Sequence, residues 1–124
     1  MYLRIVYAKP EKRTRRRVGV LWNAGPTCGD EGELDLIFGW LNVHLPIPPR
    51  EAFRGGRGLS WFKLDARACI DQVRDLAFHL ERRGQRIWQI YSRNPGLITY
   101  EDDLQVVALP ESARTAVIST SLER

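Results

Sequence analysis

One amphipathic helix near the middle of the chain constrains the fold more than any other feature. Between Asp65 and Gly84, apolar residues recur at helical spacing and form a single stripe of Ala66, Cys69, Ile70, Val73, Leu76, Ala77 and Leu80. A stripe of this width is typical of a helix that packs one face against another layer. Asp65 is the expected N-cap and Gly84 the expected C-cap. The pattern therefore predicts a layered domain with its core on one side of this helix.

Segments rich in β-branched and aromatic residues lie before and after this helix and predict strands. They are YLRIVYA (2–8), RVGVLWN (17–23), LSWFKL (59–64), QRIWQIYS (85–92), LITYEDD (97–103) and LQVVALP (104–110). The tripeptide Asn94–Gly96 places Pro and Gly where a type II turn needs them. A further helix is expected from Glu33 to Leu45. The prediction is an α+β fold with a mixed or mainly antiparallel sheet of about five to six strands, two helices packed on it, and the order ββαβαββ.

Length and composition indicate one domain. The chain has 124 residues, and we expect a single α+β domain over residues 1–110. Residues 111–124 are expected to form a weakly structured tail or an extra edge strand. Two cysteines do not make a disulfide framework, and no apolar run approaches the length of a membrane span. These features predict a cytoplasmic protein that does not bind membranes.

Positive charge is concentrated in one segment, KPEKRTRRRVG (9–19). Its six cations and one glutamate leave +5, whereas the whole chain carries +4, so the remaining residues sum to −1. A local excess of this kind can attract a polyanion. The expected binding residues are Lys9, Lys12, Arg13, Arg15, Arg16 and Arg17, on the connection of a β-hairpin. Tyr7 and Trp22, at the bases of its arms, are candidates for stacking on bases. The alternative is a solvated hairpin tip without a ligand.

The helix expected from Glu33 to Leu45 has two apolar sides. Its main stripe contains Leu34, Ile37, Phe38, Leu41 and Leu45. Leu36, Trp40 and Val43 fall on roughly the opposite side, and Phe78 lies on the charged face of the longer helix. A helix that is apolar nearly all round is either enclosed within a fold or shared with another chain. Leu36, Trp40, Val43 and Phe78 are therefore the expected interface residues of a homo-oligomer, most simply a homodimer.

No pattern in the sequence indicates a cofactor, a metal site or catalytic residues. Cys28, His44, Cys69 and His79 lack the local pairing of zinc ligands, and phosphate-loop, dinucleotide and nucleophile-elbow motifs are absent. Two acidic groups could hold Mg²⁺ if the fold brought them together. The first contains Asp30, Glu31, Glu33 and Asp35, and the second contains Glu101, Asp102 and Asp103. Helix capping and turn solvation explain such groups equally simply.

These observations favour a small non-enzymatic binding module that contacts nucleic acid or another polyanion, such as an acidic protein, through the basic connection. One alternative is a protein–protein interaction or accessory protein that acts as a homo-oligomer. A second alternative is a small metal-dependent phosphodiesterase that uses the two acidic groups.

Overall fold

The computed structural model describes residues 1–12, 15–23, 31–110 and 117–121. In this part of the chain, six strands form one sheet: β1 (Tyr2–Tyr7), β2 (Leu59–Lys63), β3 (Ile87–Ser92), β4 (Leu97–Glu101), β5 (Gln105–Leu109) and β6 (Val117–Ser121). The helices are α1 (Val20–Asn23), α2 (Glu31–His44) and α3 (Arg67–Arg82), and a 3₁₀ turn covers Arg50–Phe53. The α+β class is confirmed.

The sheet has the order β4-β5-β2-β1-β3-β6, and every neighbouring pair of strands is antiparallel. Because β2 and β3 both run antiparallel to β1, they are parallel to each other, and α3 connects them across β1. This is a split β-α-β arrangement. It makes β1 an interior strand, paired with β3 along its whole length and with β2 at Tyr2 and Leu3.

The main core lies between one face of the sheet and the helices. All seven residues of the α3 stripe are buried, as the periodicity predicts. They join Leu3 and Ile5 of β1 and Leu34, Ile37 and Leu41 of α2 in one cluster. The main apolar stripe of α2 therefore faces the core, and the position of α2 in the fold follows from its sequence.

Both caps of α3 lie one residue from the predicted positions, and the C-cap is Arg83, directly before Gly84. Gly84 has a φ of +90°, in the left-handed region that glycine adopts without strain. At the start of the helix, the N-cap is Ala66, which makes no side-chain capping hydrogen bond. The predicted Asp65 cap is therefore wrong by one residue. Within the described ranges, no helix has both the length and the apolar character needed to cross a membrane.

The opposite face of the sheet carries a second buried cluster. Its members are Val6, Trp61, Ile90, Val106 and Ala108, with Tyr2, Leu59 and Trp88 packed against them. Arg4 lies between Tyr2 and Val6 in β1 and is also buried. Both faces of the central strands are therefore buried, which explains why β5 is apolar at successive positions rather than alternating.

The predicted second strand, residues 17–23, is wrong. The chain returns from the basic segment, makes one antiparallel bridge between Gly19 and Val6, and enters the short helix α1. Tyr7 N donates to Val18 O at 2.9 Å, so the base of the connection is hydrogen-bonded. A full hairpin cannot form because β3 pairs with one edge of β1 and β2 with part of the other. The returning segment pairs only with the part of this edge of β1 that β2 leaves open.

Candidate anion-binding surface

The basic segment forms a closed turn beside the end of β1. Glu11 N donates to Arg16 O and Arg15 N donates to Glu11 O, both at 2.8 Å. Arg15 adopts a φ of +57°, a left-handed conformation that is uncommon for a residue other than glycine. Its side chain is exposed, as are those of Lys9 and Lys12. The turn therefore presents these three cations to solvent, while the predicted Arg13 lies outside the described residues.

Arg16 and Arg17, also predicted to bind a polyanion, make contacts within the chain. Arg16 Nη1 donates to Gly56 O at 3.0 Å and to Arg57 O at 3.2 Å. Arg17 Nε donates to Ala8 O at 3.0 Å, and its guanidinium lies 4.2 Å from the centre of the Trp88 ring. Both arginines hold the turn in place, and neither is exposed as Lys9, Lys12 and Arg15 are.

The two hydrogen bonds of Arg16 bring a second basic loop next to the turn. This loop, RGGRG (54–58), begins with Arg54 in a left-handed conformation and exposes Arg54 and Arg57. The sequence contains no signal that the two loops adjoin. Together, Lys9, Lys12, Arg15, Arg54 and Arg57 form what we call the basic surface. Cations on two adjoining loops can follow successive phosphates along a strand.

Of the two candidate stacking residues, only Tyr7 can be placed relative to this surface. Tyr7 is half-buried and packs against the main core, and it also lines a recess with Lys9 and Glu11. The side chain of Trp22 lies outside the described part of the structure. The ring of Trp88 is covered by Arg17. The described residues of this surface therefore offer mainly electrostatic contact.

Sequence reasoning missed Arg4, the most buried charged residue of this region. Only 9% of its surface is exposed, because it lies in the interior strand β1 and its guanidinium packs 5.6 Å from the centre of the Trp61 ring. Burial, together with the positive charge of Arg16, lowers the pKa of the Arg4 guanidinium to about 10. An arginine in an alternating strand ordinarily indicates a solvent-facing position, so the sequence carried no signal for its burial.

The predicted interface residues lie on the outer sides of α2 and α3. Leu36 and Val43 are 74% and 80% exposed, and Ile47, just beyond the helix, is 88% exposed. Trp40 is half-buried and stacks on His44 with ring centroids 4.1 Å apart. Leu36, Trp40, Val43 and Ile47 follow one another at spacings of four, three and four residues. Leu36 and Val43 are exposed on α2, Ile47 is exposed just after it, and Trp40 packs partly against the main core; we call these four residues the α2 stripe.

Phe78 is 39% exposed on α3 and contacts Arg82, whose Cζ lies 6.0 Å from the ring centre. The adjacent His79 Nε2 is 2.7 Å from Glu33 Oε2. This contact places the Phe78 turn of α3 beside the first turns of α2, where the α2 stripe begins. The four predicted interface residues therefore belong to one side of the helical layer.

Glu33, Glu101 and Asp102 make contacts within the chain, whereas Asp35 and Asp103 are exposed. Glu33 pairs with His79, and Glu101 Oε2 lies 2.6 Å from Lys63 Nζ. Asp102 accepts hydrogen bonds within the turn that follows β4. No group of three or more metal-ligating side chains occurs among the described residues. The predicted convergence of the two groups involves Asp30 and the side chain of Glu31, which lie outside that part of the chain.

Cys69, the cysteine that the structure describes, lies in the core rather than beside a cation. Cys69 is buried in the α3 stripe, and burial, aided by the charge of Asp102, raises the pKa of its thiol. A thiol in this state is a poor nucleophile at neutral pH. Cys28 lies outside the described residues.

Comparisons with protein-family models, with curated proteins and with solved structures gave no match to this chain. Function must therefore be argued from the geometry and charge of the chain itself.

Proposed function

We propose that this protein binds nucleic acid through the basic surface and that it acts as a binding module rather than an enzyme. The observation that carries the proposal is the contact of Arg16 with the backbone of residues 56 and 57, which joins two cationic loops into one surface. Lys9, Lys12 and Arg15 supply exposed charge from the first loop, and Arg54 and Arg57 supply it from the second.

Charge placement favours a polyanion over a small ligand at this surface. The side chains are exposed and long, so they can adapt to phosphates at varied spacing without forming a closed pocket. Binding of this kind depends on counterion release and tolerates many sequences. An acidic protein would present carboxylates in a less regular array, and it serves below as a competing probe.

The proposal predicts that a triple variant, Lys9→Ala with Lys12→Ala and Arg15→Ala, binds a single-stranded oligonucleotide about 10- to 100-fold more weakly than wild type, because three phosphate contacts are lost. Fluorescence anisotropy of a labelled strand at low salt measures the dissociation constant. Polyglutamate is added as a competitor, and it should displace the strand only at a large excess.

The matched control removes the same charge elsewhere: Arg67→Ala with Arg82→Ala and Arg93→Ala, three exposed arginines outside the two basic loops. This variant should bind within about twofold of wild type. Equal losses in both triple variants would mean that binding follows net charge, and the basic surface would have no specific role. Stronger binding of polyglutamate than of the strand would favour an acidic protein partner.

A second candidate function, self-association, rests on the exposure of the α2 stripe. Leu36, Val43 and Ile47 form an apolar line on the outside of the domain. An exposed apolar line of this kind is typical of a surface that another chain covers. We propose that this side of the domain mediates a homodimer.

The dimer proposal predicts that wild type has twice the chain mass of 14.3 kDa in multi-angle light scattering, and that Val43→Glu restores the monomer. A charge buried at an interface without a partner costs several kcal/mol, which is enough to dissociate a small dimer. Leu97→Glu, at an exposed position of β4, is the control and should remain dimeric. A monomeric wild type at about 100 μM would reject the proposal.

A further inference from the structure

A cleft beside Arg4 has the charge of an anion site but holds no protein carboxylate paired with Arg4. Among the described residues, the only hydrogen bond of the Arg4 guanidinium runs from Nη2 to Arg17 O, at 3.4 Å. This length is at the weak limit for an N–H···O bond. The same part of the chain contains no ion pair to Arg4. Four of its five N–H donors therefore have no acceptor there.

Such a residue is costly to bury without a counter-charge. A charge transferred out of water is normally compensated by an opposite charge or by several hydrogen bonds. The charge that acts on the Arg4 guanidinium is instead that of Arg16, a second positive group, and with burial it lowers the pKa of Arg4. Stacking on Trp61 offsets only part of the cost of desolvation. The arrangement is explained most simply if an anion supplies the missing compensation.

The space for that anion is a cleft of about 260 Å³ between the basic turn and the segment that leads into β2. Arg4, Arg16, Arg17 and Glu11 contribute its charged lining. Among the described lining residues, three guanidinium groups less one carboxylate leave two positive charges, which matches a dianion. Two of these arginines are held in place by hydrogen bonds. Arg16 donates to the backbone of residues 56 and 57, and Arg17 donates to Ala8 O.

A second observation at the same place is an unsatisfied donor. Trp61 is 4% exposed, and its indole Nε1 is buried with no hydrogen-bond partner among the described residues. Trp61 and Arg4 line a smaller cavity of about 60 Å³, which shares Arg4, Gly19 and Ser60 with the cleft. Buried donors without acceptors are rare in folded proteins. The orphaned indole N–H of Trp61, beside an arginine whose guanidinium makes one weak hydrogen bond within the described residues, points to an acceptor-rich ligand.

We propose that this cleft binds a dianionic phosphate group, with Arg4 as its buried anchor and Arg16 and Arg17 at its sides. Phosphate supplies the acceptor oxygens and the double charge that the lining lacks, and guanidinium groups are well suited to it. The phosphate belongs either to a small phosphorylated molecule or to the end of a nucleic-acid strand. The site adjoins the basic surface, because Glu11 and Gly56 of the two basic loops line it, but its three arginines are not among the five exposed cations of that surface.

The test uses inorganic phosphate as the probe, with sodium chloride at equal ionic strength as the reference. Phosphate should raise the melting temperature of wild type by several degrees and shift the Trp61 indole N–H resonance, which Trp61→Phe assigns. Arg4→Met keeps the length and the apolar stem of the side chain, and it should weaken phosphate binding at least tenfold. Glu11→Gln removes the opposing carboxylate and should tighten phosphate binding about threefold, so it tests the site even if Arg4→Met does not fold.

These variants test phosphate binding in the cleft independently of nucleic-acid binding by the basic surface. The triple variant of Lys9, Lys12 and Arg15 should lose oligonucleotide affinity but keep the phosphate effect, whereas Arg4→Met should lose the phosphate effect but keep its affinity for a strand with a 5′-hydroxyl. A strand with a 5′-phosphate that binds more tightly than the same strand with a 5′-hydroxyl identifies a strand end as the source, and equal binding identifies a small molecule. An unmoved Trp61 resonance in wild type, or an unchanged phosphate affinity in Glu11→Gln, would overturn the phosphate cleft.

Discussion

Replacing Gly96 with alanine is expected to lower the free energy of unfolding by about 3 kcal/mol or more. Gly96 has a φ of +111°, and a Cβ built on it lies 2.0 Å from Leu109 O and 2.9 Å from the Leu109 carbonyl carbon. The obstacle is backbone of β5, which cannot move without breaking its pairing with β4. Urea denaturation followed by circular dichroism measures the change.

Gly39→Ala is the matched control for this prediction. Gly39 lies within α2, and its built Cβ has no neighbour within 4 Å. Alanine should therefore stabilise the protein by roughly 0.5–1 kcal/mol through its higher helix propensity. If Gly96→Ala unfolded at the same urea concentration as wild type, the turn between β3 and β4 would not have the geometry described here.

Replacing Asp102 with alanine is expected to cost about 2–3 kcal/mol at neutral pH, because its carboxylate organises the turn between β4 and β5. One oxygen accepts from Leu104 N at 2.8 Å and from Gln105 N at 3.0 Å. The other accepts from Tyr100 Oη at 2.7 Å and from Gln105 Nε2 at 3.2 Å. Loss of the carboxylate leaves these donors without their acceptor.

The same contacts make this contribution depend on pH. Burial acts to raise the pKa of Asp102, but the hydrogen bonds from Leu104, Tyr100 and Gln105 outweigh it and hold that pKa below its ordinary value. The stabilisation is therefore complete above the pKa of an unfolded aspartate, about 4, and is lost as the pH falls through the lower folded pKa. Wild type and Asp102→Ala should converge in stability as the solution is acidified.

Asp103→Ala is the control, since Asp103 is exposed and should change stability by less than about 0.5 kcal/mol. A difference between wild type and Asp102→Ala that stayed constant from neutral pH to about pH 2 would contradict the assigned role of the carboxylate.

Local periodicity was sufficient to predict α3 and most strands, because each carries its own pattern. The burial of Leu76 and Ala77 follows from helical spacing alone, and the positive φ of Gly96 follows from the Pro-Gly order of its turn. Residues 17–23 have the composition of a strand, yet they form a bridge and a helical turn. Distant segments, β2 and β3, occupy the edges of β1 that a local hairpin would need.

The sequence also identified only some of the residues of the candidate sites. Charge along the chain located Lys9, Lys12 and Arg15, which remain exposed. It did not distinguish them from Arg16 and Arg17, whose partners lie at Gly56, Arg57 and Ala8. Arg4 could not be identified from the sequence, because its burial depends on Trp61, a residue of another strand. Contacts between distant segments decide which cations are available to a ligand.

The salt dependence of oligonucleotide binding tests the central claim most directly. The dissociation constant of a labelled single strand is measured from about 20 to 200 mM salt for wild type, for the triple variant of Lys9, Lys12 and Arg15, and for the triple variant of Arg67, Arg82 and Arg93. For the variant of Lys9, Lys12 and Arg15, three lost phosphate contacts should lower the slope of log Kd against log salt concentration by about 2. The variant of Arg67, Arg82 and Arg93 should keep the wild-type slope. Equal slopes for all three proteins, or no binding by wild type at the lowest salt, would contradict the assignment of nucleic-acid binding to the basic surface.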